Sequence, residues 1–129
     1  NKTDGAEFRK FMKEVEDALP LPVEESFTSE RMILAWYCMS GGIPDYVMKP
    51  LTTALSRALD DRLPMLTLDV LATAAEDYLD PDGKTINPFT SNKLELKRAV
   101  KLLISIEQDV TRRFEKEFEQ IRFPWLDEI

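Results

Sequence analysis

Two stretches of helical pattern meet at Ser40-Gly41-Gly42-Ile43-Pro44, and this junction constrains the chain more than any other feature. Glycine stops a helix because it enters the left-handed conformation without a Cβ clash. Proline starts one, because its missing N–H is not needed in the first turn. Gly41 and Gly42 followed by Pro44 therefore spell a stop and an immediate restart. The restarted helix begins at a bend where backbone can approach a ligand closely. A tight corner and a phosphate contact both remain open from these five residues alone.

The rest of the pattern is helical almost throughout. Segment one covers about residues 6–19. Phe8, Phe11, Met12, Val15, Ala18 and Leu19 recur at steps of three and four, with Asp4 as a candidate N-cap. Leu19-Pro20-Leu21-Pro22 ends it, since a residue before proline avoids the helical region. Segment two, about residues 29–40, is capped by Thr28 or Ser29. It is apolar on nearly every side from Met32 to Met39, as expected of a central helix. Segment three runs from Pro44 to about Asp61 with a stripe of Val47, Leu51, Ala54, Leu55, Ala58 and Leu59. Pro50 lies inside it and is expected to kink it. Segment four covers about residues 68–79 behind an N-cap at Thr67.

A Pro- and Gly-containing break then runs from Asp80 to Phe89. Segment five starts near Ser91 and is expected to reach Gln120. Its stripe is Leu96, Ala99, Leu103, Ile106, Val110, Phe114, Phe118 and Ile121, widened early by Val100, Leu102 and Ile104. Pro124 forbids a helical continuation through Phe123-Pro124-Trp125-Leu126 to Ile129. The expected fold is all-α: a four-helix bundle over residues 1–79, a linker at 80–91, and a long C-terminal helix with a short irregular tail over 92–129, packed on the bundle.

Composition removes several function classes. The 129 residues contain no histidine and a single cysteine, Cys38. Histidine-based acid–base, nucleophilic and metal chemistry is therefore absent. A lone cysteine forms no internal disulfide, which fits a reducing cytoplasm. A net charge of −7 argues against a broad nucleic-acid footprint. No run of about 20 apolar residues is present, so no membrane contact is expected. The chain opens on Asn1 rather than methionine and is expected to be a piece of a longer protein.

Other candidate sites are weak. Asp80-Pro81-Asp82-Gly83 lacks the flanking acids of a calcium loop, whose places hold Tyr78 and Phe89. Glu24-Glu25, Asp60-Asp61 and Glu76-Asp77 fall at loops or helix ends and are expected to be solvated. Cys38 lies on an apolar helix with no adjacent base, as an inert core thiol does. Lys93, Lys97, Arg98 and Lys101 form the densest basic group, with the three lysines at i, i+4 and i+8. They are possible DNA-proximal residues, although a solvated basic face is the safer expectation. Phe114, Phe118, Phe123, Trp125, Leu126 and Ile129 are candidate partner-binding residues, with a fold-back over the bundle as the rival.

Four helices with a Gly-Gly-x-Pro joint between the second and third resemble the C-terminal helical lid of AAA+ ATPases. The nearer resemblance is to the TniB/TnsC family, ATP-dependent regulators of Tn7-like and related transposons. It is carried by Glu7-Phe8, Leu19-Pro20-Leu21, Ser40-Gly41-Gly42-Ile43-Pro44-Asp45-Tyr46-Val47, Leu51, Ala54 to Ala58 and Leu66-Thr67-Leu68-Asp69-Val70-Leu71-Ala74, with Asn87-Pro88-Phe89 as a further match. The resemblance implies a lid that closes over ATP and Mg2+ held by a preceding half of a longer protein. Gly41, Gly42, Ile43, Pro44 and Asp45 would then lie beside the nucleotide. Many such lids carry an arginine just after the proline; Asp45 stands there instead, and its charge repels phosphate. The family assembles on DNA as oligomers that join a target selector to a transposase. The implied partners are those proteins, other copies of the parent and DNA.

The chain lacks a Gly-x-x-x-x-Gly-Lys-Ser/Thr loop, so it is expected to be inactive alone and to need no cofactor alone. The rival expectation is an all-helical adaptor that binds protein and never meets a nucleotide. If Trp125 anchors a partner, Trp125→Ala weakens that association by about 2 kcal/mol or more and leaves the melting temperature nearly unchanged. A large fall in melting temperature would place the indole in the core instead.

Overall fold

A computed structural model describes residues 5–79 and 86–114. Five helices account for the regular structure there: α1 (Gly5–Ala18), α2 (Glu30–Ser40), α3 (Pro44–Asp60), α4 (Leu68–Glu76) and α5 (Lys93–Phe114). A 3-10 turn at Pro88–Thr90 precedes α5. The all-α expectation holds. The Asp4 cap, the Asp80-Pro81-Asp82-Gly83 turn and everything after Phe114 lie outside the described residues.

The middle of the fold is α2. Ser29 caps it by accepting the N–H of Met32 at 3.2 Å. Six consecutive residues, Met32 to Tyr37, are buried. A helix buried on all sides must be covered on all sides. Helix α3 and α5 pack directly on it, as does the 3-10 turn. Phe8 of α1 meets Tyr37 edge-on at 5.7 Å between ring centroids. Trp36 stands between Phe27 and Phe89, at 5.2 and 4.8 Å, again with tilted rings. These edge-to-face pairs add about 0.5–1.5 kcal/mol each beyond the area they bury.

Helix α3 presents Val47, Pro50, Leu51, Ala54 and Ala58 to the interior, and α4 presents Leu71, Ala72, Ala74 and Ala75. Alanines on both helices allow a close approach of their backbones. Helix α3 continues through Pro50, which is buried, so the missing N–H interrupts the ladder without ending the helix. Its C-terminus closes in the 6→1 and 5→2 pattern: Leu63 N–H donates to the Ala58 carbonyl and Arg62 N–H to Leu59. The left-handed position is Arg62 (φ 55°) rather than the usual glycine. Helix α4 stops at Glu76, short of the expected Leu79. From Asp77 to Leu79 each N–H bonds three residues back instead of four.

The connection between α1 and α2 is tied to the one between α3 and α4. Leu66 N–H donates to the Pro22 carbonyl at 2.8 Å and Glu24 N–H to Leu66 at 3.1 Å, an isolated parallel bridge at Val23 and Leu66. Glu24 then accepts the Leu68 N–H, adding a second cap to α4 beside Thr67. Glu16 accepts from Phe27 N–H and from Ser26 Oγ, and the Arg9 guanidinium donates to the Thr28 carbonyl. Glu25 binds Arg31 through two oxygens, and Arg31 also reaches the Ser91 carbonyl. That guanidinium holds the Glu25 carboxyl below its ordinary range.

Helix α5 docks along α2 through Leu96 and Val100, both fully buried, with Lys97 beside them. Ile104, Ala99 and Leu103 are half-buried. The expected stripe is therefore corrected at two places: Leu102 is 62% exposed and Ile106 51%. The contact follows a four-residue row through 96, 100 and 104, which turns 102 and 106 outward. Leu59, expected in the stripe of α3, is likewise exposed. At 22 residues, α5 is roughly 33 Å long. Leu96→Ala is expected to cost about 2–5 kcal/mol in urea denaturation, and Leu102→Ala less than about 0.5. Equal costs would place the wrong face of α5 against α2.

Candidate functional site at the α2–α3 corner

The corner is built from the end of α2 outward. Ser40 is buried; its hydroxyl donates to the Trp36 carbonyl at 2.7 Å and accepts the Gly42 N–H at 3.1 Å. Gly41 (φ 64°) donates its N–H to the Tyr37 carbonyl at 2.7 Å, and Ile43 donates to Ser40 at 3.2 Å. Gly42 (φ 85°) lies against the Tyr37 ring, where an added Cβ would sit 3.1 Å from Cε2. Backbone and packing together thus call for glycine at 42, while at 41 the left-handed backbone favours it. The N–H groups of Gly41, Gly42 and Ile43 all donate within the corner, and Pro44 has none.

What the corner shows to solvent is the first turn of α3. Pro44 occupies its start, and Pro44, Asp45 and Tyr46 are exposed. The Asp45 carboxylate sits at the positive end of the helix dipole, a favourable place for an acid and an unfavourable neighbour for a phosphate. Lys49 Nζ lies 5.5 Å from the centre of the Tyr46 ring, within cation–π range. An open cleft of about 360 Å³ begins at Asp45 and is lined by Met48, Lys49, Thr52, Thr53 and Tyr78. The Tyr78 hydroxyl is 3.1 Å from Thr53 Oγ1. Across Met48, an apolar groove of about 470 Å³ runs between α1 and α3, lined chiefly by Phe11, Val15, Leu19, Leu51 and Leu55.

The other expected residues are placed differently from one another. Lys93 pairs with Glu30 of α2 at 2.9 Å, and Lys97 is buried, whereas Arg98 and Lys101 are exposed. The four therefore do not form one open basic face: the docking of α5 draws the first two toward the bundle. Phe114 is the last residue of α5. Phe118, Phe123, Trp125, Leu126 and Ile129 lie outside the described residues. Burial pushes the Cys38 thiol up to about 11, which leaves it protonated and unreactive at neutral pH. Burial, with the Glu107 charge adding to it, also raises the Tyr37 phenol. No group of carboxylates or thiols suited to a metal ion occurs among the described residues.

Of the paired acids expected to be solvated, Glu24, Glu76 and Asp77 are exposed and Glu25 is half-buried, and Glu24, Glu25 and Asp77 also make contacts. Glu24 caps α4, Glu25 holds Arg31, and Asp77 pairs with Arg57 at 3.0 Å. Asp60 and Asp61 are exposed as expected. The Asn87 side chain accepts the Phe89 N–H and donates to the Ala72 carbonyl. This ties the end of the expected linker to α4, and Pro88 and Phe89 are buried there. An Asn-Pro pair beside an aromatic residue was the available signal for an ordered turn.

No protein-family model matches the chain, and no curated protein or solved structure is significantly similar to it. The corner itself yields a test. Gly42→Ala is expected to destabilise the fold by about 1–3 kcal/mol, from a left-handed non-glycine residue and contact with Tyr37. Urea denaturation measures it; an unchanged midpoint would mean that the corner is not held against that ring.

Proposed function

We propose that the chain is the C-terminal helical lid of an AAA+ ATP-binding regulator of DNA transposition. The observation that supports this best is the α2–α3 corner, with left-handed Gly41 and Gly42 and with Pro44 opening α3, inside an all-helical bundle. In this proposal a preceding half of the parent holds ATP and Mg2+, and the first turn of α3 faces it. The closed hydrogen bonding of Gly41, Gly42 and Ile43 gives the corner a fixed shape, so its contribution is steric positioning rather than donation to phosphate. In this proposal Asp45 and Tyr46, both exposed, would touch the neighbouring half. Helix α5 and the residues after it would dock a transposase or target selector in the cytoplasm, while the parent assembles on DNA.

An adaptor without any nucleotide is the second reading. It is favoured by Asp45 at the corner and by the apolar groove beside α1. It is also favoured by Leu102 and Ile106, exposed on α5. The described helices include none long and apolar enough to cross a membrane, consistent with either reading.

The lid proposal predicts that this chain alone releases no phosphate from ATP in a malachite-green assay. It also predicts that a phosphate-binding Gly-x-x-x-x-Gly-Lys-Ser/Thr loop precedes it in the parent gene, and that the parent hydrolyses ATP. Robust turnover by the isolated chain, or a parent without that loop, would refute it.

A further inference from the structure

We draw no further inference here: the strongest candidate, the apolar groove between α1 and α3 lined by Phe11, Val15, Leu19, Met48, Leu51 and Leu55, carries no proposal because nothing in the structure shows what covers it.

Discussion

The burial of α2 is the constraint on which the other elements depend. Met32 to Tyr37 leave the helix no polar side to offer to water. Its backbone hydrogen bonds are satisfied internally, but its side chains are stable only with neighbours all around. Each neighbour covers a different part of it. Helix α1 brings Phe8 to Tyr37, the 3-10 turn brings Phe89 to Trp36, and α5 brings Leu96 and Val100. Truncation of a buried Trp or Phe costs about 3–5 kcal/mol, against a total stability of about 5–15 kcal/mol for a domain. The loss of one such contact would therefore be a large fraction of the whole.

Polar contacts fix the connections over this core. The segment between α1 and α2 is bonded to the segment between α3 and α4 through Pro22, Glu24 and Leu66. Arg31 joins the start of α2 to Glu25 and to the Ser91 carbonyl just before α5. With side chains 21% and 30% exposed, Arg31 and Glu25 are shielded more than a surface pair. Their value lies in geometry: two oxygens of one carboxylate and one carbonyl fix a planar guanidinium. The approach of α5 to α2 is thus set at its first turn, where Lys93 also meets Glu30.

Much of the fold was legible because helical period and end signals agree locally. Ser29, Thr67, Gly41 and Pro44 each mark an end that the structure keeps. Less legible were features that depend on a distant partner. Arg62 occupies a left-handed position with no glycine to announce it. The Val23–Leu66 bridge joins two loops far apart in sequence. The face of α5 that docks could not be chosen from its stripe, because Leu102 and Ile106 are as apolar as the residues that are buried. Of the candidate site, the glycine corner was legible as a shape. That its N–H groups are consumed internally, and that Lys97 is buried, follow from tertiary contacts alone.

The corner and the core are one construction, since Gly42 rests on Tyr37 and Ser40 bonds back to Trp36. The orientation of α3 relative to α2 is consequently inherited from the buried helix. Native-state hydrogen exchange followed residue by residue tests this most directly. The amides of Ile33 to Met39 should exchange only through global unfolding, with protection matching the full unfolding free energy. Exchange of α2 through a local opening, while α3 and α4 stay protected, would contradict the central place given to that helix.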